Sequence, residues 1–338
     1  MQKKNANHNT VRIMAYTTRT QISDEVNNFY DRTLLERLLP LLVYTKFGQV
    51  RDIPRKGGSN TIKFRRYASL SVATTALTEG TTPAGSQLSV TDITADVSQY
   101  GDYVTLTDVV NYESEDPVLT EAAQVLGEQA AKTLDELCRD VVVAGTTVQY
   151  ADNRSGRNQM LASSLLTANE IREAVATLAG NNAKKLTRIV NPATGFNTTP
   201  INAAYIGITH PKAVYTLKGL TGWVPVQAYP SQADVMEGEV GAIDDVRFIS
   251  TSQAKTWAIL NGAASTALTV YGMLILGQDA YGITRISGEA MHNIVKPLGS
   301  AGTGDPLDQR TTTGWKATFV AKILNDDAML RLEHVAAI

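Results

Sequence analysis

The sequence predicts an α+β fold, in which strand-rich and helix-rich stretches are separated along the chain of 338 residues. Residues 62–72 and 90–110 alternate in polarity with the period of strands. Residues 117–145 place apolar side chains every three or four positions, which is the period of one long helix. Hydrophobic residues make up 43% of the chain and charged residues 19%, a composition that argues against disorder and membrane insertion.

Residues 1–50 are predicted to form an N-terminal arm that contains one helix. Ser23 precedes Asp24 and Glu25, which is an N-cap followed by acids in the first helical turn. Apolar residues then recur at helical spacing until Pro40, where the helix ends or kinks.

Residues 51–112 are predicted to form a long extended hairpin. One strand covers 62–72, a Gly-, Thr- and Pro-rich tip covers 78–89, and a second extended run returns through 90–110. Two strands of this length cannot cover their own edges, and a free edge pairs readily with another chain.

Residues 113–145 are predicted to contain the longest helix of the chain. Pro117 stands at a favourable first-turn position, and Gly145 closes the helix. Cys138 lies on the apolar stripe, so we expect it to pack in the core. A single cysteine cannot form an internal disulfide, which fits a reducing compartment.

Residues 146–275 alternate short helices and strands, as expected of a compact mixed domain. Thr167 and Glu170 predict the start of a helix that runs to Ala179, and residues 188–190 and 205–209 are predicted strands. The chain then returns to the earlier domain over 276–338. We expect an extended segment at 294–296, a Gly-rich loop at 297–313, and strands at 315–323 and 329–335.

The charges are strongly segregated along the first part of the chain. Residues 1–67 hold thirteen Lys or Arg and five acids, whereas residues 68–131 hold ten acids and no Lys or Arg. Opposed blocks suit head-to-tail contacts between subunits, and a solvated strand face that collected acids is the equal alternative. The residues predicted to make contacts between subunits are Arg55, Lys63, Arg65, Arg66, Glu79, Asp92, Asp96, Asp102, Asp305 and Arg310.

The sequence predicts no catalytic, cofactor-binding or metal-binding residue. The Gly-rich stretch 299–304 lacks the Lys-Ser/Thr pair of a nucleotide loop. The acid pairs at 244–245 and 326–327 occupy turn-like positions without calcium-loop spacing. The four histidines are far apart, and no apolar run reaches the length of a membrane span.

Several turn-and-strand segments, in their order and spacing, resemble the major capsid protein of tailed bacteriophages, which has a Hong Kong 97-like fold. The resemblance runs from Met14 to the C-terminus and is strongest over 200–335. The segments are 205–211 (YIGITHP), 222–226 (GWVPV), 238–250 (GEVGAIDDVRFIS), 280–282 (AYG), 294–306 (IVKPLGSAGTGDP) and 309–316 (QRTTTGWK).

The resemblance implies a structural protein that assembles into pentamers and hexamers and then an icosahedral shell around double-stranded DNA. It identifies 1–50 as the N-terminal arm, 51–112 as the extended loop, 113–145 as the spine helix, 146–275 as the axial domain and 276–338 as the return to the peripheral domain. The implied location is the virion capsid, assembled in the host cytoplasm. The implied partners are further copies of the chain, with portal, scaffolding and decoration proteins also compatible, and no membrane.

Two other functions stay open on the sequence alone. A cellular nanocompartment shell of the same fold would enclose an enzyme cargo in place of DNA. An enzyme with a dispersed site would bring together residues such as Asp305, Arg310 and His292, so their separation on surface loops would remove that reading.

Overall fold

The computed structural model describes residues 42–52, 61–76, 79–82, 85–113, 118–187, 202–229, 235–260, 267–284, 291–300 and 302–337. These residues divide into two compact units. The smaller unit contains Gln99–Ala130 and Met291–Ala317, and the larger unit contains the other described residues. No helix within the described ranges has both the length and the apolar character needed to cross a membrane.

The strands and helices are numbered in chain order. The strands are β1 (Gln49–Arg51), β2 (Thr61–Tyr67), β3 (Val90–Asp96), β4 (Ser98–Thr107), β5 (Val148–Tyr150), β6 (Tyr205–Thr209), β7 (Val224–Pro225), β8 (Glu239–Ile243), β9 (Val246–Ser250), β10 (Thr256–Leu260), β11 (Ala267–Leu276), β12 (Tyr281–Thr284), β13 (Met291–Lys296), β14 (Arg310–Phe319), β15 (Ala321–Ile323) and β16 (Met329–Val335). The helices are α1 (Asp108–Glu113), α2 (Val118–Val143), α3 (Ala168–Gly180) and α4 (Pro211–Lys218).

The larger unit is built on a mixed sheet of eight strands, counted within the described ranges. Its order is β5-β16-β11-β6-β9-β8-β7, and β10 also pairs with β11. The pairs β5·β16 and β6·β9 are parallel, and the others are antiparallel. Helix α3 packs its buried side chains Ile171, Ala174 and Leu178 into the same apolar core as residues from β6, β9, β11 and β16. Burial of these apolar side chains stabilises the unit.

The predicted long helix is confirmed as α2, which begins directly after Pro117. Leu126, Ala130, Leu134, Cys138 and Val142 are all buried and follow the three- and four-residue spacing of the stripe. At the C-terminus of α2, the guanidinium of Arg331 donates to the carbonyl oxygens of Val143 and Gly145. A cation at this end satisfies carbonyls that have no partner within the helix.

The helix predicted between Thr167 and Ala179 is confirmed as α3, and Thr167 and Glu170 cap its N-terminus. The Thr167 hydroxyl accepts from the Glu170 backbone N–H, and the Glu170 carboxylate accepts from the Thr167 backbone N–H at 2.8 Å. This reciprocal capping box satisfies two backbone donors that an uncapped helix would leave free. The predicted strand at 205–209 is confirmed as β6, and α4 begins at Pro211.

The predicted hairpin is wrong in length. Strand β2 ends at Tyr67, which pairs with Val90, so 68–72 do not continue the ladder. The returning run divides into β3, which pairs with β2, and β4, which joins the sheet of order β13-β14-β4. Alternation in sequence reports side-chain direction and does not identify the neighbouring strand, so one long strand and two shorter strands have the same pattern.

Three predictions for 276–338 also need correction. The loop predicted at 297–313 is shorter, because β14 begins at Arg310, and the strand predicted at 315–323 is interrupted between β14 and β15. The strand at 329–335 exists as β16 but belongs to the eight-stranded sheet, so 276–338 does not form one group of strands. The predicted arm before residue 42 and the strand at 188–190 lie outside the described residues.

Candidate assembly surface

The hairpin of β2 and β3 is anchored at its base by a small apolar cluster. Ile62, Phe64 and Ala95 are buried there and pack with Val320 and Leu324. Gly282 makes room for the Phe64 ring, because a Cβ at this glycine would lie 2.5 Å from Phe64 Cε1. The base of the hairpin is therefore fixed to its own unit.

Beyond Phe64 the hairpin is not covered by its own subunit. All residues from Arg65 to Ala76 are exposed, and so are all described residues from 79 to 92. In the described ranges β2 and β3 form a sheet of only two strands, so the outer edge of each strand has no ladder partner. Edges of this kind are suited to pairing with another chain.

The loop between β2 and β3 exposes large apolar side chains. Val72 is 85% exposed, Leu88 69% and Leu70 51%. A hydrogen bond from Ala68 N to Ser89 O at 2.9 Å closes the base of the loop. Sequence reasoning assigned Leu70 and Val72 to a strand face, and their exposure was missed. Exposed apolar side chains on a connecting segment are compatible with a contact surface if they form one continuous patch.

The charged residues of the hairpin already have partners within the chain. Arg65 Nε donates to Asp92 Oδ1 at 3.1 Å, directly across the ladder. This hydrogen bond to Asp92 raises the pKa of the exposed Arg65 guanidinium. Asp96 accepts from the Thr61 hydroxyl at 2.8 Å, and Arg66 donates to the Asn325 side-chain oxygen at 3.0 Å. Arg65 and Asp92 thus meet within one hairpin, and a role for them in contacts between subunits stays a prediction.

The remaining predicted contact residues are scattered. Lys63 is exposed on β2 opposite Thr94, and Glu79 is exposed in the hairpin loop. Arg55 lies outside the described residues. A role of these residues in contacts between subunits stays a prediction.

In the smaller unit, Asp102 of β4 and Trp315 of β14 are both hydrogen-bonded to Gln129 of α2. Asp102 Oδ2 accepts from Gln129 Nε2 at 2.7 Å, and Trp315 Nε1 donates to Gln129 Oε1 at 3.3 Å. Beside them lies an open groove of about 480 Å³, whose lining includes Lys296 and Lys316. Gly101 permits the close approach of β4 and β14, since a Cβ there would lie 2.6 Å from Trp315 O.

Asp305 and Arg310 come together as a turn within the loop before β14. Asp305 Oδ2 accepts from the Arg310 backbone N–H at 2.8 Å, and the Arg310 side chain donates to the Gly304 carbonyl. His292 lies on β13 opposite Lys316, six residues along β14 from Arg310. The three residues proposed for a dispersed enzyme site therefore do not form one cluster.

Several polar networks of the larger unit were missed by sequence reasoning. The buried Glu239 carboxylate accepts from Arg247 Nε at 2.7 Å, from Arg247 Nη2 at 2.6 Å and from the Tyr229 hydroxyl at 2.7 Å. Burial, together with the bond to Glu239, raises the pKa of Tyr229. Glu333 is also fully buried and accepts from Arg157 and Arg331. Arg157 lies 3.7 Å from the centre of the Trp257 ring.

Asp135 is a buried acid on the apolar stripe of α2. Its carboxylate accepts from the backbone N–H groups of Val43 and Thr45 at 3.3 and 3.1 Å. Burial raises the pKa of Asp135, and these hydrogen bonds oppose the shift. An acid inside an apolar helical stripe was the available sequence signal, since such a group needs partners.

The described residues contain no cluster of His, Cys, Asp or Glu that could hold a metal ion. The acid pair at 244–245 occupies a turn, as predicted, where Asp244 has a positive φ of 49° and binds Arg172. The pair at 326–327 lies in a short 3₁₀ helix, and Asp326 accepts from Thr146 N at 3.0 Å. Cys138 is buried and its thiol contacts the Tyr44 carbonyl oxygen at 3.3 Å. Burial raises the pKa of this thiol and makes it a poor nucleophile.

Comparison with solved structures shows that this fold occurs in phage capsids. The chain is similar to the capsid of Ralstonia phage GP4 (TM-score 0.65, 12% identity, 94% of this chain and 99% of that chain). It is also similar to the head of Helicobacter pylori bacteriophage KHP40 (0.63, 9%, 96% and 98%) and to the capsid of the cyanophage P-SCSP1u (0.60, 14%, 93% and 94%). No family model and no curated protein sequence matches the chain. The predicted α+β capsid fold is confirmed, and the Hong Kong 97-like subtype and its domain names are compatible with it.

Proposed function

We propose that this chain is the shell-forming subunit of a tailed-bacteriophage head. The observation that carries the proposal is the likeness in fold, which extends over at least 93% of this chain and 94% of each capsid chain compared above.

The uncovered hairpin supports a role in assembly. Its base is held by Phe64, whereas its loop exposes Leu70, Val72 and Leu88 to solvent in the single chain. Covering these side chains on a neighbouring subunit would remove apolar surface from water. We therefore assign the hairpin the task of connecting one subunit to the next.

The domain assignments are part of the proposal. We assign 1–50 to the arm, 51–112 to the extended loop with β4 excluded from the hairpin ladder, and 113–145 to the spine helix. The axial domain takes 146–275 together with β16, and the rest of 276–338 belongs to the peripheral domain. Head-to-tail contacts between identical subunits close into rings when the rotation permits, which would give pentamers and hexamers.

The proposed shell encloses double-stranded DNA without reading its sequence. The net charge of −2 and the absence of Lys and Arg from 68–131 do not provide the basic stripe that phosphate contacts require. The proposed location is the virion capsid after assembly in the host cytoplasm, with portal, scaffolding and decoration proteins as compatible partners.

Electron microscopy of the purified full-length chain, combined with mass photometry, tests the proposal. We expect rings or closed shells far above the 36.5 kDa of one subunit. A stable monomer at every concentration would contradict the proposal. Particles from the natural source that hold an enzyme cargo and no genome would favour a cellular nanocompartment shell.

A further inference from the structure

Three aromatic rings form a row where α4 meets the eight-stranded sheet. The ring centre of Tyr271 lies 5.1 Å from that of His210 and 6.2 Å from that of His334. Tyr271 on β11 is directly opposite His334 on β16, and His210 follows β6. Two histidines from separate elements therefore flank one tyrosine.

His210 caps helix α4 through a ring nitrogen that must be unprotonated. Its Nδ1 accepts from the backbone N–H of Lys212 at 3.1 Å. A protonated imidazole has no acceptor nitrogen, so proton uptake removes this cap. It would also place a cation beside the positive end of the helix, where cations are unfavourable.

His334 is fully buried and has one ring nitrogen without a partner. Its Nδ1 lies 3.1 Å from the Val335 carbonyl oxygen, which identifies Nδ1 as the protonated nitrogen of the neutral ring. Its Nε2 finds no hydrogen-bond partner among the residues that the structure describes. Proton uptake at Nε2 would create a buried charge and an unmet donor, which is costly in an apolar interior.

The charged groups near the two rings do not offset this cost. Burial lowers the pKa of His210, and the nearby charge of Lys212 acts in the same direction because it opposes a second positive charge. Burial lowers the pKa of His334 to about 4, and the bond to Val335 O acts in the opposite direction.

The polar groups on the elements around His334 are bonded to residues other than His334. Glu333, next in β16, is bonded to Arg157 and Arg331. In the loop before α3, Ser164 O accepts from Val335 N, and the Asp152 carboxylate near Ser164 is paired with Arg154. On the other sides, Thr256 of β10 is opposite Tyr271, and Thr216 of α4 accepts from Ala337 N. Within the described part of the chain, no carboxylate is available to a protonated His334.

We propose that His210 and His334 form an acid-sensitive joint, in which two neutral rings hold α4 against the C-terminal strand and proton uptake releases them. In the unfolded or locally open chain, histidine takes up a proton near pH 6.5. The closed form resists that proton, so its stability is complete above pH 6.5 and falls as the pH drops toward 4. The inference rests on the fold of this chain and is independent of the proposed shell.

Hydrogen exchange of the full-length protein at pH 7 and pH 5 tests the joint, with correction for the pH dependence of intrinsic exchange. In the wild type we expect exchange of peptides covering 205–218 and 329–337 to accelerate about tenfold or more at pH 5, because each linked proton contributes up to a factor of ten per pH unit. In the double variant His210→Asn, His334→Phe the change should stay below about twofold. Asparagine keeps a capping acceptor and phenylalanine keeps a ring beside Tyr271, and neither takes up a proton.

Two further variants keep the test decisive. His292→Asn removes an exposed histidine of β13 and should leave the acid response of both peptides unchanged. If the double variant does not fold, His210→Asn alone decides through residues 211–218, whose acid response should be smaller than in the wild type, with the remainder due to His334. An equal acid response in the wild type and the non-titrating variant would overturn the joint, and so would a wild type without any response.

Discussion

The charge pairs of the β2–β3 hairpin and those of the eight-stranded sheet differ in burial. In the sheet, Glu239 and Glu333 are fully buried and each is bonded to arginine. In the hairpin, the Arg65–Asp92 pair is exposed to water. Removing one partner of a buried pair leaves the other charge buried without a counter-ion, which is strongly destabilising. In an exposed pair the remaining charge is solvated by water, so the loss of stability is small. Loss of a charge pair should therefore cost more stability in the sheet than in the hairpin.

Replacing the arginine of each pair should give the largest difference in stability between the sheet and the hairpin. We expect Arg247→Met to lower the free energy of unfolding by about 3–5 kcal/mol, because Glu239 keeps a buried charge without its counter-ion. The matched change Arg65→Met on the hairpin should cost less than about 1 kcal/mol. Urea unfolding of both variants measures the two values. Equal losses would show that burial does not separate the two pairs.

Truncation of one apolar side chain should have a smaller effect that depends on its place in the hairpin. Phe64→Ala empties the base cluster and should lower the free energy of unfolding by about 3 kcal/mol. Val72→Ala removes a side chain that is 85% exposed and should change it by less than about 0.5 kcal/mol. Thermal unfolding compares them, and a Val72 variant that loses as much stability as the Phe64 variant would place the loop inside its own subunit.

Removal of the hairpin loop should not lower the stability of the subunit. Tyr67 and Val90 are paired across the end of the ladder, so an Asn-Gly turn can replace 68–89 between them. The unfolding free energy should stay the same or rise by at most about 2 kcal/mol, because a shorter loop costs less entropy to close. The same variant should stop at monomers or single rings in mass photometry. Closed shells of normal size would contradict the connecting role of the loop.

The local signals in the sequence were sufficient for α2 and α3, whereas α1, whose first residues were assigned to the extended run 90–110, and α4 were not predicted. The apolar stripe of α2 and the Thr167–Glu170 capping box depend on residues a few positions apart, and both appear as predicted. The alternation of a strand also depends only on residues a few positions apart, but the strand with which it pairs can lie far away in the sequence. Strand β4 lies in the sheet with β14, about two hundred residues further along the chain, and no alternation in either segment indicates that pairing.

The sequence indicated which residue types occur on the candidate surface, but it did not indicate which residue each of them contacts. The opposed charge blocks correctly marked Arg65 and Asp92 as complementary, but charge alone does not distinguish a partner in the same hairpin from one in another subunit. The buried ions were missed for a related reason. Arg247 and Glu239 resemble ordinary surface residues in sequence, and only the fold of β8 onto β9 brings them into one dry site.

The position of Cys138 equips the native protein for site-specific labelling. It is the one cysteine in the sequence, and the segment around Tyr44 covers its thiol, so a maleimide reagent should reach it only when the chain opens there. The rate of that slow reaction would report the opening directly. A cysteine introduced at Val72 would meanwhile react at once, so that one fluorophore could be placed on the loop without removing Cys138.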